Sequence, residues 1–193
     1  MLSYGGILKI KNSTFSGNKS SSRGGGMSTY ASTLEVKDAI FFENTGEEFG
    51  GGMHNEDTFA DISHCAFKDN TVTPGNGGGM ANVESTVKIA ECEFTTNTAE
   101  YYGGGVVNFE STVQISDCVF ADNKATKFNG GGLVNWLSTI TISRNMFSGN
   151  TAVVGGGIYN VASSSVMENN VFTENKAKSN NDVADEESEP VLP

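Results

Sequence analysis

The 193-residue sequence predicts an all-β fold, a single-stranded parallel β-helix of about seven coils of 25–27 residues. Three observations predict it. Glycine triplets, each followed by an apolar residue, recur at Gly24–Met27, Gly50–Met53, Gly77–Met80, Gly103–Val106, Gly130–Leu133 and Gly155–Ile158. A Phe-x-x-Asn motif recurs at Phe15, Phe41, Phe67, Phe94, Phe120, Phe147 and Phe172, with periods of 25 to 27. Between the two, Val, Ile and Thr alternate with polar residues over short runs such as Thr112–Ser116, the period-2 signature of strands.

The spacing separates a rigid part of each repeat from a free one. The first glycine precedes the phenylalanine by 17 residues in all six complete repeats, whereas the step from Asn to the next triplet varies from 5 to 7. The variable loops are therefore Lys19–Arg23, Thr45–Phe49, Thr71–Asn76, Thr98–Tyr102, Lys124–Asn129 and Thr151–Val154, projecting from one edge. Eighteen of the 24 glycines lie in the triplets, which reads as one recurring demand for a tight turn through positive φ. The first coil, Leu8–Phe15, aligns with Leu34–Phe41 but lacks the triplet strand.

Aligning the repeats gives columns. Met27, Met53, Met80, Val106, Leu133 and Ile158 form one apolar column. Leu34, Ala60, Val87, Val113 and Ile140 form a second, closed by Ser165, and Val36, Ile62, Ile89, Ile115, Ile142 and Met167 a third. With the phenylalanines, these supply up to four core side chains per coil, which a lone repeat could not bury. Asn44, Asn70, Asn97, Asn123 and Asn150, flanked by Asn18 and Asn175, are an amide ladder at an inward corner. Asn55, Asn82, Asn108, Asn135 and Asn160 are a second, with Thr29 in first place. A column of Ser32, Thr58, Ser85, Ser111, Ser138 and Ser163 reads as turn hydroxyls.

Here the residues resemble a known family. GGGφ alternating with FxxN is similar to the GGA[ILV] and FxxN repeats of the chlamydial polymorphic outer-membrane proteins, and the broad fold to the pectin-lyase-like proteins. The resemblance covers residues 5 to about 176 and implies the right-handed form of the helix. It also implies a secreted, cell-surface module for adhesion, display or structural spacing, with a polysaccharide-binding or carbohydrate-active (lyase or hydrolase) protein as the alternative. The sequence departs from that family in carrying Gly where Ala is usual.

Composition narrows the functional classes. The net charge of −11 repels phosphate backbones, so nucleic acid is not an expected partner. No run of 18 apolar residues spans a membrane, and the first 20 residues show no secretion signal. Residues 1–176 are expected to form the repeat domain, as a fragment of a longer array or a unit that self-associates end to end or laterally; residues 177–193 are expected to be a disordered acidic tail.

Candidate sites follow from the columns. Glu35, Asp61 and Lys88 occupy one outward column, with Lys37 beside them; two carboxylates near a lysine are the weak candidates for acid/base chemistry, against the plainer reading of an exposed charge ladder. Asp38, His64, Glu91, Asp117 and Arg144 form a second charged column that reads as a solvated turn face, so no metal or other cofactor is expected. Cys65, Cys92 and Cys118 stand in one column, as stacked buried thiols or with one interstrand disulfide. Val107 and Phe109, Val134 and Trp136, and Tyr159 and Val161 line the later coils. Phe109, Trp136 and Tyr159 are the candidate contact residues for a surface protein or glycan if that strip is open, the alternative being that a variable loop or a neighbouring domain covers it. Of two glycosylation sequons, only Asn12 is free of a ladder.

Overall fold

The computed structural model describes residues 1–187, and every regular element among them is a strand. The coil that begins at Gly77 shows the plan: Met80–Val83, Thr86–Ala90, Glu93–Thr95 and Thr98–Ala99 run around the axis, joined by tight corners. Each segment pairs in parallel register with its equivalents one coil away. Met80 stands between Met53 and Val106, and Phe94 between Phe67 and Phe120.

The four segments stack into three sheets. In the coil after Gly24 the first two segments run on as one strand, Met27–Lys37, which joins their stacks into a long 13-stranded sheet. The Phe segments form a seven-stranded sheet and the shortest segments a four-stranded one. Two expectations about the ends are corrected. The first coil does have a strand where the triplet is missing: Leu2–Lys11 pairs along Met27–Lys37. The expected tail contains a strand as well, since Val183–Glu186 pairs with Ile158–Val161 and continues the stack. Val183 and Ala184 supply the apolar side chains that hold it there, packing beneath Ile158 and Tyr159. The rest of that expected tail, from residue 188 on, lies outside the described residues.

The core is built from the predicted columns. The Met27 to Ile158 column is fully buried, as are Phe41, Phe67, Phe94, Phe120 and Phe147. The phenylalanine rings stack face to face with centroids 4.7–5.1 Å apart, the rise of one coil. Ser165 and Met167 are the exceptions, lying at the last coil where, among the described residues, no strand follows Ser164–Glu168 on that face.

Buried polar groups are satisfied by repetition. Asn97 Nδ2 donates to Asn123 Oδ1 at 3.0 Å and to the Phe67 carbonyl at 2.8 Å, while Asn97 Oδ1 accepts from the backbone N–H and Nδ2 of Asn70. The second ladder runs Asn55 to Asn82 to Asn108 to Asn135 to Asn160 through Nδ2-to-Oδ1 bonds of 2.7–2.9 Å, with Thr29 donating into it at 2.7 Å. In the serine column, Ser85 Oγ donates to the Val83 carbonyl and accepts the Thr58 N–H.

The glycine triplets meet two different demands. Only the first glycine of each has positive φ, between 60° and 73°. At the second, a Cβ would sit 2.3–2.5 Å from a carbonyl oxygen of the next coil, so it is glycine because two backbones touch there. Elsewhere the corners take positive φ with side chains attached: Asp38, His64, Glu91, Asp117 and Arg144 share φ of 53–57°.

Candidate functional site

The expected strip along the later coils is a second core. Trp136 is 7% exposed and Tyr159 1%, and Val107 and Val134 are fully buried, with Phe109 half-buried. The variable loops cover it: Phe49, Tyr101, Tyr102, Phe128 and Val154 fold over the strip, with Tyr102 edge-on to Trp136 at 5.5 Å. Phe109, Trp136 and Tyr159 therefore present no open contact face. Two apolar columns on the outside of a sheet would expose too much surface, and the loops beside them carry the aromatic residues that remove it from water.

The charged candidates do come together. Glu35 pairs in register with Asp61, and Asp61 with Lys88, on the solvent side of the long sheet. The lysines that hold Glu35 are Lys9 at 3.0 Å and Lys11 at 2.9 Å, not Lys37. Their hydrogen bonds, Lys11 first, and then their charges lower its pKa to about 2, so Glu35 is a fixed carboxylate. That suits an ion-paired recognition residue and not an acid that must exchange protons near neutrality.

Between these charges lies an aromatic ring that sequence reasoning missed. Phe59 is 64% exposed and lies in a groove of about 660 Å³ lined also by Lys9, Glu35, Asp61, Lys88 and Gln114. It pairs with Thr33 on one side and Thr86 on the other. The signal was present in the columns: nine residues after the first glycine stand Thr33, Thr86, Thr112 and Thr139, and Phe59 interrupts them. It went unread because every other repeated phenylalanine is core.

The remaining candidates are structural. His64 Nε2 lies 3.1 Å from Glu91, and Arg144 makes paired 2.7 Å bonds to Asp117, all on the exposed corner column. Among the described residues no group of three His, Cys, Asp or Glu side chains is placed to hold a metal ion. Cys65, Cys92 and Cys118 are free, buried thiols. Each does the work of the corner serine: Cys92 Sγ accepts the Cys65 N–H at 3.4 Å and donates to the Ala90 carbonyl at 3.2 Å. No helix among the described residues is long and apolar enough to cross a membrane.

With the parallel coils and their register established, the family is decided by one match. A family model described as a right-handed β-helix region matches residues 1–177. The chain belongs to the right-handed β-helix family. Comparisons with curated proteins and with solved structures gave no match. In this right-handed β-helix the solvent side of the long sheet holds the exposed aromatic groove, while the variable loops are committed to covering the second core.

Proposed function

We propose that this β-helix is a cell-surface or extracellular module that adheres to polysaccharide, without cleaving it, through the open part of the solvent face of its long sheet. One observation carries the reading: Phe59 lies open in a groove flanked by fixed charges and threonine hydroxyls. A pyranose ring presents an apolar C–H face and a rim of hydroxyls. The first packs on an aromatic face, and the second bonds to carboxylates and ammonium groups such as Glu35, Asp61 and Lys88. Coils spaced at about 4.8 Å make the face extended and flat, which matches a polymer better than a small molecule. The resemblance of the repeats to those of surface-displayed proteins supports the same location.

The test is a glycan array read with the wild-type chain and Phe59→Ser, beside a cleavage assay on pectin, alginate and glycosaminoglycans. Retention of one glycan class, lost in Phe59→Ser and without cleavage, is the expected result. Retention that survives Phe59→Ser contradicts the proposed face. Cleavage that Asp61→Asn abolishes replaces the proposal with the enzymatic alternative.

A further inference from the structure

Near the start of the chain, the two columns that become the second core are polar. Where later coils carry Ala81, Val107 and Val134, the first two complete ones carry Ser28 and His54, which pair in register. Two residues beyond His54 on the same face stands Glu56. Ser28 Oγ lies 3.3 Å from His54 Nδ1, and Glu56 Oε2 lies 3.6 Å from His54 Nε2. His54 is 1% exposed, and its Nε2 is a buried polar atom with no hydrogen-bond partner. All three residues line a cavity of about 610 Å³, with Lys19, Arg23 and Tyr30 on its walls.

We infer that Ser28, His54 and Glu56 form a nucleophile, base and carboxylate relay, and that Ser28 is an acylatable serine for activated esters. With the imidazole proton on Nε2, which faces Glu56 at 3.6 Å without a hydrogen bond while Arg23 holds that carboxylate, Nδ1 is free to accept the Ser28 hydroxyl proton. The ring runs opposite to the usual serine-hydrolase arrangement, with Nδ1 toward the serine, but the order of the three groups is the same. In the reaction Ser28 Oγ bonds to the ester carbonyl carbon as its proton moves to Nδ1. The C–O bond to the leaving group then breaks and the alcohol departs with that proton. Water attacking the acyl carbon releases the acid and returns the proton to Ser28. Lys19 is the cation on the cavity wall available to the developing oxyanion, since Arg23 is engaged by Glu48 and Glu56.

Arg23 also restrains the site. It ion-pairs with Glu56 and, at 3.2 Å, with Glu48, and it lies over the Phe49 ring at 5.5 Å. Burial first, and the Arg23 charge second, hold the His54 pKa down at about 3. The resting imidazole is therefore neutral and a weak base, which limits the reaction to esters with good leaving groups. Removing Arg23 frees the Glu56 carboxylate to support the imidazolium and makes the base stronger.

The experiment is labelling with a fluorophosphonate probe, followed by peptide mass mapping and by p-nitrophenyl acetate turnover. Expected is a single adduct on Ser28, absent in Ser28→Ala and in His54→Gln, and formed at least tenfold faster in Arg23→Gln. Arg23 is partly exposed, so that variant tests the relay in a folded chain. Absence of the adduct from both wild type and Arg23→Gln overturns the inference. So do an adduct that persists in Ser28→Ala or His54→Gln and a rate that Arg23→Gln leaves unchanged. None of these outcomes bears on Phe59, which lies in the separate outer groove.

Discussion

At the scale of single residues, the interior runs on side chains that copy a backbone function from coil to coil. Asn97 receives two hydrogen bonds from Asn70 and gives two more. Asn97→Ala would leave two buried N–H groups of Asn70 and two buried oxygens each short of a partner, a loss of at least about 3 kcal/mol, read as a lower urea midpoint. The cysteines make a finer distinction. Cys92→Ser keeps both a donor for the Ala90 carbonyl and an acceptor for the Cys65 N–H, whereas Cys92→Val keeps volume and loses both. The serine variant should therefore unfold at the higher urea concentration, reversing the order that hydrophobicity alone would give. His54 sets a pH dependence. Its folded pKa of about 3 lies below the ordinary imidazole value of 6.5, so between these pH values the unfolded chain binds the extra proton. That stability is complete above about pH 6.5 and is lost as pH falls toward about 3. The urea midpoint of wild type should fall relative to that of His54→Leu across that window, and a difference that holds constant would contradict the buried neutral imidazole.

At the scale of the coil, turns and strands trade conformational cost against register. The middle glycine of each triplet is fixed by contact: a Cβ on Gly104 would meet the Gly131 carbonyl oxygen and the Lys124 nitrogen, both at 2.4 Å. Gly104→Ala should cost about 3 kcal/mol and lower the melting temperature, because two backbones must separate. The corner before each serine shows the reverse case. Leu137 holds φ of 50°, where its equivalents are Asp57, Glu84 and Glu110, and it is exposed. An L-residue with a bulky side chain pays about 1–2 kcal/mol in that region, so Leu137→Asn or Leu137→Gly should raise the melting temperature. The triplets were visible in the sequence as a single requirement, but positive φ and close approach leave the same letter, and only the packing of neighbouring coils separates them. The column of Asp38, His64, Glu91, Asp117 and Arg144 was legible as a turn but its positive φ was not, since Gly or Asn is the residue that usually marks that conformation.

At the scale of the whole molecule, the sequence disclosed the β-helix because each coil repeats its spacing, and errors in one repeat are corrected by the next. The Phe stack, both Asn ladders and the apolar columns could all be read by alignment. The site was less legible, for the same reason in reverse: function on a repeat scaffold lies where one coil departs from the rest. Phe59 is one phenylalanine in a threonine column, and Ser28 and His54 are two polar residues where later coils are apolar. The strip of Phe109, Trp136 and Tyr159 stayed open between a contact surface and a covered layer because the sequence does not disclose which way a variable loop folds. Here the loops carry Tyr102 and Phe128 inward, which covers the triplet-strand part of the long sheet and leaves open the part built from Phe59–Ser63, Thr86–Ala90 and Thr112–Ser116. That assignment is tested most directly by calorimetric titration of the best glycan from an array into wild type and Phe59→Ser, with the melting temperatures compared in parallel. At least a tenfold loss of affinity in Phe59→Ser, about 1.4 kcal/mol, at an unchanged melting temperature is the predicted result; equal affinity for the two proteins would contradict the account.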